Sequence, residues 1–235
     1  MTRAMLYSGL AAAAGGLLLW TSAAHSDDAV VARHMRAHLA HATQARDALL
    51  GGDLAAAREP LKWLAEHRAV EGLPEGWWSH VDQFNQRAAP AVGSTDPEVL
   101  AKSIAGVAQV CGNCHTQLRT TPQLADREVD PIEGGVPAHM EEHLWAMDRM
   151  WAGLIGLDAE AWALGAAVLV SPPVHHDPDI ALPEDAAAIA ERLHVLGVKA
   201  AAASSSEQQT AVYSELLVAC SECHVRMGTR PDLKR

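Results

Sequence analysis

The sequence predicts an all-α protein made of two similar four-helix units in tandem. Strand signals are absent from the chain, and apolar residues recur at helical spacing. Aromatic residues make up only 4% of the 235 residues while Ala is abundant, a composition that suits closely packed helices better than sheets. An internal repeat divides most of the chain into two units, each long enough to form its own core.

Two repeated segments define these units. Arg33-His-Met-Arg-Ala-His-Leu39 is echoed by Ala138-His-Met-Glu-Glu-His-Leu144, and each is followed by a Gly-x-Asp turn. Each unit then ends in the same kind of pentapeptide, Cys111-Gly-Asn-Cys-His115 in the first and Cys220-Ser-Glu-Cys-His224 in the second. The offset is 105 residues at the first pair of segments and 109 at the pentapeptides, so we expect one fold used twice.

The first unit, residues 25–120, is predicted to contain four helices. They are expected at 27–50, from 54 through 64, at 77–88, and from 95 into the pentapeptide. Gly51 and Gly52 end the first helix, and Asp53 is placed to cap the second. Thr95 and Glu98 have the spacing of a capping box at the start of the fourth helix.

The second unit, residues 137–235, follows the same plan with different loops. Its helices are expected at 138–154, at 159–170, at 184–203 and from 207 onward. The Pro-rich segment 171–183, which contains His175 and His176, is predicted to be a loop. Residues 121–136 are also rich in Pro and Gly and form the predicted linker between the units.

The first 24 residues have the pattern of a signal peptide. Arg3 is followed by a continuous run of apolar or small residues, Ala4–Trp20, and then by Ser22-Ala23-Ala24, which suits cleavage after Ala24. The alternative is an uncleaved anchor, because the apolar run is long for a signal peptide yet short for a membrane span. We therefore expect export to the periplasm, with no stable membrane insertion after cleavage.

The net charge of -11 limits the classes of partner. Nucleic acid is excluded as an expected partner, because phosphate binding needs clustered Lys and Arg. The charge is explained either by solubility or by an acidic docking face, and solubility is the simpler explanation.

The pentapeptide is the attachment signature of c-type haem. In it, two thiols form thioether bonds to the porphyrin and the following histidine binds the iron. The prediction is two covalent haems, with thioether bonds at Cys111, Cys114, Cys220 and Cys223 and proximal imidazoles at His115 and His224. The alternatives are two redox dithiols, one zinc site built from both cysteine pairs, or two disulfides, and each would leave both histidines as coincidence.

The position of the motif on the last helix of each four-helix unit resembles the class II c-type cytochromes, the cytochrome c-prime family. That resemblance implies an antiparallel four-helix bundle around each haem. Arg119, four residues beyond His115, resembles the basic residue commonly found there, whereas the second unit has Gly228 at the matching place and Arg226 nearby.

The same resemblance implies that a residue of the first helix faces the sixth coordination position of each iron. Counting back from the Gly-x-Asp turns, the corresponding residues are Met35 and Met140, and methionine ligation is typical of an electron carrier with a raised potential. Ordinary core packing is the alternative role for either methionine. His38 and His143, one helical turn further along, are the alternative ligands and would give lower potentials.

Further histidines share these helix faces. His34 and His41 lie on one face with His38, and His139 lies on one face with His143. They are expected to be partly buried polar residues near the haem propionates or between the units, with a separate metal site as the less favoured alternative.

Three functional hypotheses follow from these patterns. The leading one is a periplasmic electron carrier that exchanges electrons with redox partner proteins and is no enzyme. The second is a protein that binds or senses nitric oxide or carbon monoxide at an open iron. The third is a di-haem peroxidase, which needs an open iron and an acid/base residue above it. The two units are expected to pair within a pseudo-symmetric monomer or across a homodimer.

Overall fold

The structure is a computed structural model that describes residues 20–68, 73, 75–122, 124, 134–177 and 180–229. Residues 1–19 of the predicted signal peptide lie outside this range. Position 123 and residues 125–133 of the predicted linker also lie outside the described residues.

Eight α-helices account for most of the described residues. They are α1 (Trp20–Leu50), α2 (Leu54–Glu66), α3 (Trp78–Ala88), α4 (Pro97–Leu118), α5 (Gly135–Gly156), α6 (Ala159–Leu169), α7 (Glu184–Ala202) and α8 (Ser206–Met227). Three short 3₁₀ segments accompany them, Glu75–Trp77, Ala89–Ala91 and Val174–His176. No strand occurs among the described residues, which confirms the all-α prediction for them. None of the helices in this part of the chain is long and apolar enough to cross a membrane.

The predicted helix boundaries agree with the observed ones to within a few residues, apart from the start of α1. That helix already includes Trp20, the first described residue, whereas the predicted start is Asp27. The predicted loop 171–183 is non-helical except for the 3₁₀ segment that contains His175 and His176.

Local side-chain bonds explain where several helices begin. Asp53 caps α2 as predicted, with its carboxylate accepting a hydrogen bond of 3.0 Å from the Ala56 N–H. The predicted capping box of Thr95 and Glu98 is wrong, because Asp96 is the N-cap of α4 and accepts from the Glu98 N–H at 2.8 Å. Pro97 disfavours helical backbone at the residue before it, so Asp96 is held extended and its side chain is free to cap.

The two halves of the chain share one hydrophobic core. Buried residues from α1, α2 and α4 and from α5 to α8 belong to one continuous cluster. Helix α4 packs more extensively on α8 and α5 than on α1, and α1 packs on α8 as well as on α4. The division into two tandem bundles stays a prediction, and the two halves pack directly against each other through these helices.

Polar contacts also join α1 of the first half to α5 of the second. Arg46 is 1% exposed, and its guanidinium lies 2.6 Å from an Asp47 oxygen and 2.5 Å from an Asp148 oxygen. The same guanidinium lies over the Trp151 ring at 5.3 Å, and the Trp151 indole donates to the Thr43 hydroxyl. A buried cation placed between two carboxylates avoids the cost of an unpaired buried charge, so these contacts specify how the halves meet.

Candidate haem-binding clefts

Each pentapeptide lies at the C-terminal end of a long helix whose apolar face is buried in the shared core. Leu100, Ile104 and Val107 on α4 are at most 1% exposed, as the predicted apolar face requires. Beyond them α4 reaches the first Cys-x-x-Cys-His motif, and α8 carries the second in the same way. The core therefore holds both motifs on rigid helices rather than on loops.

The first cleft brings the first motif to the first helix. It is lined by Cys111, Cys114 and His115 of α4 and by Met35 and His38 of α1, and it contains about 1010 Å³ of space that is partly open to solvent. The rest of its wall is mostly apolar and includes Leu39, Trp77, Val81, Phe84 and Leu124. This mostly apolar lining with a few polar groups is typical of a site for an apolar ligand or cofactor.

The second cleft repeats this arrangement. It is lined by Cys220, Cys223 and His224 of α8 and by Met140 and His143 of α5, and it contains about 950 Å³. The two clefts thus hold the two motifs and the residues predicted to face them. The sequence-predicted site residues are brought together in two sets, one in each cleft.

Each predicted proximal histidine is oriented by a backbone carbonyl from the opposite half of the chain. The Nδ1 atom of His115 lies 2.8 Å from the carbonyl oxygen of Ile155, near the end of α5. The Nδ1 atom of His224 lies 2.6 Å from the carbonyl oxygen of Leu50, the last residue of α1. A carbonyl only accepts, so Nδ1 carries the proton in both rings and Nε2 keeps a lone pair for a metal.

The helix ends beyond these histidines are also alike. Arg119 after α4 and Gly228 after α8 both adopt left-handed backbone, with φ of 52° and 62°. The N–H of Arg119 bonds to the His115 carbonyl, and that of Gly228 bonds to the His224 carbonyl. The residue four positions after the motif histidine therefore has the same left-handed backbone conformation in both halves. Glycine adopts this conformation at little cost, and arginine adopts it less readily.

Helix α4 approaches α5 closely at Gly112, inside the first motif. A β-carbon at this position would lie 2.3 Å from the carbonyl oxygen of Leu154, which is backbone and cannot move alone. The absence of a side chain therefore lets the end of α5 reach the His115 ring.

We expect Gly112→Ala to destabilise the protein by about 1–3 kcal/mol and to weaken the bond from His115 to Ile155, since two helix backbones must separate. Gly106→Ala is the matched control on the same helix, because its β-carbon would meet only the flexible Arg87 side chain at 3.2 Å. That control is expected to be neutral or stabilising by up to about 1 kcal/mol, from helix propensity. Chemical denaturation of both variants measures the difference, and equal effects would contradict the explanation.

The state of the four cysteines bears on the alternatives to haem. None of them forms a disulfide. Burial, reinforced by the neighbouring thiol of each motif, raises the pKa of Cys111 and of Cys220 to about 12, so neither is a thiolate at neutral pH. The two pairs line different clefts, and no described cysteine joins a group of three or more closely spaced metal-ligating side chains. This arrangement does not favour a redox dithiol or a four-cysteine zinc site.

Both candidate distal ligands reach the clefts. Met35 is half-buried, whereas His38 is 6% exposed and its Nε2 atom has no hydrogen-bond partner. In the second cleft Met140 and His143 are both half-buried. Burial, with smaller contributions from the fields of His139 and His224, lowers the pKa of His143 to about 3. The choice between methionine and histidine stays open in each cleft.

The sequence analysis missed one histidine of this region. His67, just after α2, packs against His34 and His38. A signal was present, since His38 lies fourteen residues before Gly52 and His67 fourteen residues after Asp53. Residues equally distant from the turn of a helical hairpin lie side by side.

Comparisons with protein-family profiles, with curated proteins and with solved structures found no match to this chain. The fold and the clefts define the described part of the chain as all-helical, with two Cys-x-x-Cys-His segments in similar clefts. The residues of each cleft fit a covalently attached haem: two thiols, an imidazole with Nε2 available, and a mostly apolar wall.

Proposed function

We propose that this protein is a di-haem c-type cytochrome that carries electrons between redox partners, with one haem c group bound covalently in each cleft. The observation that carries the proposal is the repeated geometry. Each cleft is lined by both thiols of one motif and by a histidine oriented through Nδ1. It is also lined by a methionine–histidine pair from the first helix of the same half, and the whole arrangement occurs twice.

A bound haem would supply one-electron chemistry through its Fe(III)/Fe(II) couple. The chain's own residues determine how that chemistry is used. His115 and His224 are held in the tautomer that exposes Nε2, which strengthens the imidazole as a ligand. The apolar walls limit access of water, and a thioether from Met35 or Met140 raises the potential relative to a second imidazole.

Both motifs belong to one closely packed chain. Helices α4 and α8, which carry the two motifs, pack directly against each other. This packing would hold the two haems at a fixed distance from each other. The exchange of carbonyl contacts between halves also favours a pseudo-symmetric monomer over a homodimer, because each half completes the site of the other.

Localisation and partners follow from the same proposal. The predicted signal peptide implies a periplasmic protein, where c-type haem is attached in bacteria, and the expected partners are other redox proteins. The resemblance to the class II c-type cytochromes implies two four-helix bundles in tandem, one around each haem. Gas binding and peroxidase activity are the alternatives, and both need an iron that is open on its distal side.

The optical and EPR spectra of the purified holoprotein test the proposal. We expect two haems per chain, low-spin ferric signals, and a long-wavelength methionine-to-iron charge-transfer band. Low-spin signals without that band would assign His38 and His143 as the distal ligands, and the proposed electron-carrier function would still hold. High-spin signals with prompt carbon monoxide binding at both reduced haems would replace it by the gas-binding function, and a chain without haem would refute all three hypotheses.

A further inference from the structure

A compact histidine cluster lies beside the first cleft. It consists of His34 and His38 on α1 and of His67 at the end of α2. One ring nitrogen from each residue lies within 4.8 Å of those of the other two. The Nε2 atom of His67 lies 3.4 Å from the Nδ1 atom of His34. Two imidazole nitrogens bound to one tetrahedral metal ion at 2.0–2.1 Å are about 3.3 Å apart, so this spacing is that of two ligands of a shared ion.

The cluster also contains polar atoms that the protein leaves without partners. His34 is 4% exposed and His38 is 6% exposed, and the Nε2 atoms of both are buried without a hydrogen bond. Buried polar nitrogens normally have a partner, and a native structure that lacks one calls for an explanation such as an ion. The His34 nitrogen that lies near His67 is Nδ1, so an ion shared by the three rings would be the missing partner of the His38 Nε2 atom.

We propose that His34, His38 and His67 bind a divalent transition-metal ion, zinc or copper, that is separate from the haem irons. Three imidazoles form a ligand set that suits both metals and leaves a fourth position for water. The ion would link the end of α2 to α1 at the wall of the first cleft.

The second half of the chain lacks this site. His139 and His143 repeat the pairing of His34 and His38, with ring centroids 4.2 Å apart compared with 4.1 Å. At the 105-residue offset, however, the position of His67 is occupied by Pro172. The other group of possible ligands in the described residues, His175, His176 and Glu191, is largely exposed, and its atoms already pair with one another. One metal ion per chain is therefore expected in addition to the two haem irons.

The proposal goes beyond electron transfer and assigns His38 to the ion rather than to the first haem. Met35 is then the remaining distal candidate of the first cleft. If His38 proved to be the haem ligand, the metal site would be refuted while the electron carrier would stand. Failure of the two proposals is thus distinguishable.

Metal binding by the intact holoprotein tests the site. The holoprotein is treated with a chelator, dialysed at pH 7.5, and titrated calorimetrically with zinc chloride and separately with copper(II) chloride. We expect one tight equivalent of either ion per chain, with copper tighter than zinc. The copper form is expected to show nitrogen hyperfine structure from imidazoles in its EPR spectrum.

His67→Gln is the decisive variant, because this residue lines neither cleft. It is expected to weaken binding at least tenfold, as is His34→Gln, which serves as a second test if one variant folds poorly by circular dichroism. His139→Gln and His176→Gln are the controls and should keep the wild-type affinity. Wild-type binding no tighter than that of His67→Gln, or a loss in His176→Gln instead, would overturn the proposal.

Discussion

Replacing both cysteines of one motif by serine is expected to halve the haem content of the protein. A serine hydroxyl forms no thioether bond, so Cys111→Ser with Cys114→Ser removes the covalent attachment in the first cleft only. The second motif lies in a separate cleft with its own pair of thiols, and we expect it to retain its haem. Intact-protein mass spectrometry and the pyridine haemochrome spectrum measure the change from two haems per chain to one.

The reciprocal variant, Cys220→Ser with Cys223→Ser, is the matched control. Under the haem proposal each variant keeps one haem, and the two remaining spectra together reproduce that of the wild type. A four-cysteine zinc site predicts a different result, since either pair of substitutions would remove the only metal and no haem would be present. Two disulfides predict loss of one cross-link in each variant with no change in absorbance.

The two halves are not expected to respond independently in stability. His224 in the second cleft bonds to the carbonyl of Leu50 at the end of α1, and α1 also forms a wall of the first cleft. Loss of the first haem therefore loosens the helix that orients His224. The remaining haem should show a lower thermal midpoint than in the wild type, although it stays covalently attached.

The helices were predictable because their signals are local. Gly51 and Gly52 end α1, Asp53 caps α2, and apolar residues at helical spacing mark the buried face of α4. The one wrong cap is also local, since Pro97 makes Asp96 rather than Thr95 the first capping residue. Counting back from the Gly-x-Asp turn along the first helix of each half was sufficient to select Met35 and Met140, and both line the clefts.

The exchange of contacts between halves was not predictable from such signals. The carbonyl of Ile155 reaches His115 across 40 residues of chain, and that of Leu50 reaches His224 across 174. The first of these bonds depends on how closely α5 approaches α4, which a single residue, Gly112, permits. A repeat in sequence predicts two similar units but does not specify whether each unit completes its own site or that of its neighbour.

Removing the sulfur of Met35 or Met140 is expected to have the largest effect on redox behaviour. Met35→Ala should lower the potential of the first haem by on the order of 0.1–0.3 V, a part of the roughly 0.8 V range that axial ligands span. The same variant should let the reduced first haem bind carbon monoxide, because its distal position is opened. Spectroelectrochemistry and carbon monoxide difference spectra of each variant measure both effects.

Leu39→Ala is the control for the first cleft, since it enlarges the same wall of α1 without removing a sulfur atom. It should change the potential much less than Met35→Ala does. If both variants behaved alike, or if His38→Ala opened the first haem while Met35→Ala did not, methionine ligation there would be refuted.

The second cleft is where histidine competes most directly with methionine. His38 packs with His34 and His67 in a group of possible metal ligands, whereas His143 belongs to no such group among the described residues. His143 is therefore the histidine with fewer competing roles. A large potential change in Met140→Ala would assign the sulfur in the second cleft, whereas a change confined to His143→Ala would give one methionine-ligated and one bis-histidine haem. Since bis-histidine ligation lowers the potential, the second result would set the direction of electron flow within the chain, from the second haem to the first.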